Sequence, residues 1–339
     1  IPHAVLTTAL EQRLDARRVI AAVFLTYKFD PAFFEQQVLP SLLKDVQWSP
    51  HPLLRQVQMA EELRRTGTEI AVYYDGRQGL MAGDQQSAKL DVCRIPMERN
   101  GLFHPKNIFL LVERKDEVGS KETSLLVACL SANLTEAGWW RNVEVAHFEE
   151  IPAGTSTRLQ GDLLPFLTRL REAPAGEGQS GAIDKIVAFL EQEVENRANR
   201  SAGNGLFTRF YGGDEPLLGW LKGVLGKEFD GANLEIIAPY FDKADTSAPL
   251  DALIEEFLPR EVRVMAPRDT NGEVGFKKTL YKAVVDAGIV VWSHLPTDRT
   301  KQADDENVVH RFVHAKVYRF FTKTPKREAL LIGSPNLTM

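Results

Sequence analysis

A chain of 339 residues with 44% apolar content has enough material for two cores, or for one pair of similar halves. No apolar run approaches the roughly 20 residues that cross a bilayer. The first residues lack the charged-then-apolar layout of a signal peptide, so the expected location is the cytoplasm, away from membranes. With 41 basic against 46 acidic residues the net charge is −5, which does not announce a nucleic-acid partner. Two cysteines, Cys93 and Cys129, are too few for a disulfide framework or a zinc site and read as buried free thiols.

In chain order, 4–19 reads as a helix with Leu6, Leu10, Leu14 and Val19 on one face, and 19–27 as a strand. Asp30-Pro31 opens a helix over 32–39, with Asp30 as N-cap and Pro31 in the first turn. An amphipathic helix follows at 51–65, a buried strand at 69–74, a polar loop at 75–86 and a short strand at 90–96. The apolar runs FHPKNIFLLVE (103–113) and TSLLVACLS (123–131) read as buried strands, and 143–148 as another. The stretch REAPAGEGQSG (171–181) is linker-like; 182–197 is helical, and SAGNG (201–205) is a further break. Helices are then expected at 216–225, 248–257 and 276–287, strands at 233–238, 261–266 and 289–292, and a polar loop at 296–307. Two more apolar runs, FVHAKVYRFF (312–321) and EALLIGS (328–334), close the chain.

The expected fold class is therefore α/β, in mixed layers. The first half spans 1–170, a linker and helix 171–205, and the second half 206–339, with one active site between the halves. The first repeat runs on past its Asn-Leu-Thr to a helix and a strand, whereas the second reaches Met339 at once. The expectation is that the natural protein extends further.

The duplication is also chemical. Phe103-His104-Pro105-Lys106 is followed by Ser131-Ala132-Asn133-Leu134-Thr135, and Val313-His314-Ala315-Lys316 by Ser334-Pro335-Asn336-Leu337-Thr338. Residues two apart on a strand share a face, so His104 and Lys106 project together, as do His314 and Lys316. Each Ser-x-Asn falls where a strand gives way to a helix. Thr135 is placed as an N-cap there, and free backbone N–H groups at such a junction favour an anion. Histidine, lysine, asparagine and serine converging in two copies make a phosphate site with one imidazole on each side of a phosphorus. Flanking charges extend the idea to a basic cleft: Arg94, Arg99, Lys115 and Lys121 near the first motif, and Arg311, Arg319, Lys323, Lys326 and Arg327 near the second.

These paired motifs resemble the phospholipase D superfamily, whose pattern is HxKx4D with a downstream GSxN. Ile237-Ala238-Pro239-Tyr240-Phe241-Asp242 resembles a strand-end segment found between the motifs of such nucleases, and 24–43 is similar to the opening of bacterial members. The family's Asp would fall at Leu111 and Phe321, both apolar here. The tyrosyl-DNA phosphodiesterase branch also lacks that Asp, and its SANL-x-x-x-x-W segment is similar to 131–139.

The resemblance implies a metal-independent phosphodiesterase or nuclease that needs no cofactor and acts on nucleic acid, with DNA preferred, as a module of a larger bacterial defence or repair assembly. In that reading His104 attacks phosphorus and His314 is the acid. Lys106, Lys316, Asn133 and Asn336 hold the non-bridging oxygens, Ser131 and Ser334 support them, and Glu144 is a candidate to orient an imidazole. The alternatives are a catalytically degenerate nucleic-acid-binding module, and a phospholipid or phosphotyrosyl-DNA phosphodiesterase. Among the remaining histidines (His3, His51, His147, His294, His310), only His310 has the strand parity to line the cleft. The tryptophan pair Trp139-Trp140 is read as core rather than as a base-stacking platform.

Overall fold

The computed structural model describes residues 5–43, 46–78, 90, 92–97, 101–115, 121–173, 181–197, 206–269, 271–293, 301–304 and 307–337. The chain opens with helix α1 (Val5–Arg13) and strand β1 (Arg18–Thr26), so Val19 belongs to the strand and not to the helix expected over 4–19. Asp30 caps the next helical stretch by accepting from the Phe33 amide at 2.9 Å. That stretch comprises α2 (Pro31–Phe33), a π-helical turn (Phe34–Val38) and α3 (Leu39–Leu42). Helix α4 (Pro52–Thr66) ends on Gly67, whose φ of 63° supplies the left-handed C-cap.

Strands β2 (Glu69–Asp75), β3 (Cys93–Met97), β4 (Asn107–Lys115), β5 (Lys121–Leu130) and β6 (Ala146–Pro152) complete a six-stranded sheet in the order β3-β2-β1-β4-β5-β6. β1 lies parallel to β2 and antiparallel to β4. Its alternating residues feed two cores, Ala22 and Phe24 on one face and Ala21, Val23 and Leu25 on the other. A strand buried on both faces reads as an unbroken apolar run, as IAAVFL does.

A short strand β7 (Thr155–Thr157) leads into α5 (Arg158–Glu172), followed by α6 (Gly181–Gln192) and β8 (Val194–Asn196), which pairs with β7. Neither α5 nor the β7–β8 pair was expected, and the helix expected over 182–197 stops at Gln192. Leu159, Leu163, Leu167 and Leu170 bury one stripe of α5 against the second core. Each fully buried leucine contributes roughly 1.5–3 kcal/mol, which outweighs Pro165 inside the helix. Most of the linker 171–181 and all of 201–205 lie outside the described residues.

Helix α7 (Leu217–Leu225), β9 (Asn233–Ile237), α8 (Ala248–Phe257), β10 (Val262–Met265), α9 (Lys278–Asp286) and β11 (Val290–Trp292) follow the expected alternation. The stretch 296–307, expected as a polar loop, instead includes strand β12 (Lys301–Asp304), which pairs antiparallel with β13 (Asn307–His310). β14 (Val317–Thr322) and β15 (Arg327–Ile332) then complete a five-stranded sheet, β11-β10-β9-β14-β15. This order repeats that of the first sheet, with β9 in the place of β1 and β14 in the place of β4; β6 has no counterpart among the described residues.

The two sheets meet at one short seam. Val143 pairs with Val313 in an isolated parallel bridge. The Val143 amide donates to the Phe312 carbonyl at 2.8 Å, and the His314 amide to the Val143 carbonyl at 2.9 Å. Arg311 fastens the seam by donating to the carbonyls of Arg141, at 2.9 Å, and of Trp140. Trp139 is buried in the first core and Trp140 packs against it, so the pair is core material.

Candidate active site

Each His-x-Lys segment is extended and lies just ahead of its strand: the β4 ladder begins at Asn107 and β14 at Val317, one residue after each lysine. The alternation that puts His and Lys on one face is kept. Lys106 Nζ lies 3.2 Å and 3.1 Å from the two ring nitrogens of His104, and Lys316 Nζ lies 2.8 Å from Nε2 of His314. Both lysines also donate to the carbonyl of their own histidine, at 3.2 Å and 2.7 Å.

The serines act across the seam. Ser334, from the second motif, donates to the His104 carbonyl at 2.8 Å and accepts from Lys106 at 3.3 Å. Ser131, from the first motif, donates to Glu144, which in turn accepts from Nδ1 of His314 at 2.8 Å. Ser131 Oγ is itself fixed by the Val145 amide at 2.9 Å, and Asn142 Nδ2 donates to the other Glu144 oxygen at 3.2 Å. A carboxylate partner makes Nδ1 the protonated nitrogen and leaves Nε2 of His314 facing Lys316. Glu144 therefore orients an imidazole, and it is that of His314.

The asparagines flank this cluster. Asn133 Oδ1 accepts from the Lys28 amide at 3.2 Å, which fixes its carboxamide and leaves Nδ2 as a donor. Asn336 Oδ1 is buried without a hydrogen-bond partner. Neither side chain bonds a motif histidine or lysine among the described residues. Thr135 caps the helical turn after Asn133 by accepting from the Gly138 amide at 3.2 Å. That π-helical turn spans Ala137–Arg141.

Burial governs the electrostatics. Lys106 is 2% exposed and Lys316 fully buried. Burial, then the neighbouring Lys316, holds Lys106 well below the ordinary lysine range, and burial pushes Lys316 down to about 7. His104 is lowered to about 3, first by burial and then by Lys106, Lys316 and His314. His104, Lys106, His314 and Lys316 lie near enough to act on one another, with the Glu144 and Asp75 carboxylates opposing their repulsion.

The wider basic cleft is not built as expected. Arg94 pairs with Glu35, Lys121 with Glu113 at 3.0 Å, Arg319 with Glu235 and Glu328, and Arg327 with Glu228. Arg99 and the side chain of Lys115 lie outside the described residues. Positive charge at the site is thus concentrated in the motif lysines, with Lys28 exposed beside Asn133. His147 pairs with Glu149 and His51 precedes α4, both apart from the motifs; His3, His294, the His310 side chain and Thr338 are outside the described residues. Leu111 packs in the second core between Ala21 and Leu125.

Asp75 was missed by sequence reasoning. It is fully buried, accepts from the Phe103 amide at 2.7 Å, and pairs with Arg77, which also donates to the Gly101 carbonyl. This clasp fixes the segment entering His104. Its sequence signal was faint: a carboxylate ending an apolar strand. Cys93 and Cys129 are free thiols; both residues are partly exposed, and the Cys129 sulfur accepts from Asn107 at 3.2 Å. Among the described residues no group of three or more His, Cys, Asp or Glu could hold a metal ion, and no helix is long and apolar enough to cross a membrane.

The fold is similar to that of solved phosphodiesterase structures. Similar solved structures are the yeast tyrosyl-DNA phosphodiesterase and two of its histidine-substituted variants. The enzyme is 12% identical with a TM-score of 0.54, and the variants are 13% and 11% identical with TM-scores of 0.54 and 0.55. In each comparison 97% of this chain and 80% of the other are covered. No protein-family profile and no curated protein matches the sequence.

Proposed function

We propose that the chain is a phosphodiesterase that cleaves a nucleic-acid phosphodiester, DNA in the first instance, through a phosphohistidine intermediate. The observation that carries this reading is the unequal pair of imidazoles. His104 is kept neutral by burial and two lysines, which suits a nucleophile, whereas His314 is backed by Glu144, which stabilises an imidazolium when it forms. A buried neutral imidazole facing one that is bonded to a carboxylate divides a nucleophile's role from an acid's.

In the first step a His104 nitrogen bonds to phosphorus, the bond to the leaving oxygen breaks, and His314, entering as the imidazolium with Nδ1–H on Glu144, gives that oxygen its Nε2 proton. In the second, His314 takes a proton from water as the water oxygen bonds to phosphorus. The phosphorus–nitrogen bond then breaks, releasing a phosphate monoester and neutral His104. Lys106 and Lys316 neutralise the non-bridging oxygens, and the Asn133 and Asn336 carboxamides donate to them, so the charge of the transition state meets donors already in place. DNA as substrate draws support from the named substrate of the yeast enzyme.

The test uses the whole chain with EDTA present. Wild type, His104→Ala and His314→Ala are incubated with labelled single-stranded DNA, duplex DNA, RNA and a 3′-phosphotyrosyl oligonucleotide. Cleavage lost in both variants supports the reading and identifies the substrate. Salt-dependent binding without cleavage would replace it by a binding module, and activity that survives both substitutions would sink the mechanism.

A further inference from the structure

The two halves differ at one position that their own hydrogen bonds make equivalent. After β1, Phe29 bridges Leu134 and the Asp30 amide donates to the Leu134 carbonyl at 3.0 Å. After β9, Phe241 bridges Leu337 and the Asp242 amide donates to the Leu337 carbonyl, also at 3.0 Å. Counting back one residue, Lys28 and Tyr240 occupy the same place, each beside its own motif. At this position one flank carries an exposed ammonium and the other an aromatic ring, while Tyr27, next to Lys28, sets its own ring 4.9 Å from that of His104.

Tyr240 is 46% exposed, although it stands within a cluster of rings. Its ring centroid is 5.8 Å from that of His314, edge-on, and 6.3 Å from Phe312, which is itself 6.1 Å from His314. Lys316 Nζ lies 5.8 Å from the Tyr240 centroid. Two rings thus stand beside the histidine read as the acid. An acid must sit next to the oxygen that leaves, so whatever that oxygen carries lies against these rings.

We propose that Tyr240 and Phe312 form a stacking subsite for the base of the nucleoside on the leaving side of the scissile phosphate. This rests on the phosphodiesterase reading and on His314 as its acid. Every base has a π-face, so the subsite selects for the presence of a base rather than for its identity. The leaving nucleoside is assigned to the Tyr240 flank because His314 is the acid there; Tyr27 stands beside His104, the histidine read as the nucleophile.

The experiment uses two otherwise identical single-stranded oligodeoxynucleotides. In one, the nucleoside on the leaving side of a single cleavable phosphate is thymidine; in the other it is the base-less 1,2-dideoxyribose. All other linkages are methylphosphonates, which resist cleavage. The leaving oxygen has the same chemistry in both, so the ratio of kcat/KM reads the base alone. Wild type is expected to favour thymidine by about tenfold, the low part of the range for base–aromatic stacking. The ratio should fall to about 1 in Tyr240→Ala/Phe312→Ala and persist in Tyr240→Phe. Because each variant is its own reference, a general loss of fold or rate cannot imitate that result. Turnover of both substrates by wild type without preference, or a preference that survives the double substitution, overturns the subsite and leaves the phosphodiesterase standing. Turnover of neither substrate overturns both.

Discussion

Glu144 follows the first motif but serves the second: its carboxylate accepts from Nδ1 of His314 at 2.8 Å, across the seam made by Val143 and Val313. Because Ser131 holds the other carboxylate oxygen, one half of the chain sets the tautomer of a histidine in the other. Removing the carboxylate should impair chemistry more than binding. Glu144→Ala is expected to lower kcat by between about 10² and 10⁴ with little change in KM, and Glu144→Gln by less, because its amide oxygen still accepts from Nδ1. Steady-state kinetics on the cleaved substrate checks this, and a loss confined to KM would contradict it.

If His314 activates water in the second step, its removal should stall the enzyme after the first. His314→Ala, given a substrate whose leaving group needs no acid, such as a p-nitrophenyl ester, should accumulate an adduct on His104. Intact-mass spectrometry would detect the added mass, and acid should release it, since phosphoramidates hydrolyse at low pH. No adduct on His104 in this variant, with one accumulating on His314 in His104→Ala instead, would reverse the assignment of the two histidines.

Lys316 changes charge near neutrality in the free protein, pushed down to about 7 by burial. A bound phosphate draws it back up, so binding takes up a proton above that pH. Affinity for inorganic phosphate should therefore fall as pH rises from about 7 towards 10. The stability effect runs the other way. The folded value lies below the ordinary 10.5, so between the two the unfolded chain binds more protons, and this group makes the free protein more stable as pH rises through that window. Titration calorimetry at pH 8 in buffers of different ionisation heat measures the uptake, which Lys316→Met should reduce.

The Asp75 clasp predicts a stability cost at a distance from the chemistry. Arg77 and the Phe103 amide hold the Asp75 carboxyl below its usual range of 3.8, so its contribution is present above that pH and is lost as pH falls through the folded value. Asp75→Asn should destabilise by about 1–3 kcal/mol in urea unfolding at pH 7, because one buried partner is left unmatched. The difference from wild type should shrink in acid.

Gly138 packs on the backbone of Asn133, where an added Cβ would collide with the Asn133 carbonyl oxygen. Gly138→Ala should cost about 1–3 kcal/mol of stability and move Asn133 away from its Lys28 contact. A raised KM together with a lowered melting temperature is the expected outcome. An unchanged melting temperature would mean that the turn relaxes at no cost.

The sequence by itself determined the parts. Two copies of His-x-Lys and Ser-x-Asn, each set in apolar runs long enough for buried strands, predicted a mixed α/β fold of two similar halves and gathered the candidate residues, because period-two side-chain direction is a local property. Local signals also misled. Pro165 obscured α5, whose leucine stripe at 159, 163, 167 and 170 matters only once a sheet stands beneath it. The polar stretch at 296–307 concealed a strand pairing, and the basic residues around the motifs gave no sign that acidic partners hold Arg94, Lys121, Arg319 and Arg327. Only the tertiary structure decided which partner each motif residue meets. Ser334 reaches the His104 carbonyl and Glu144 reaches His314 because the seam at Val143 and Val313 lays each motif against the other half. The unequal environments of the two histidines follow from that crossing, and pairing between residues some 170 positions apart leaves no mark in local sequence.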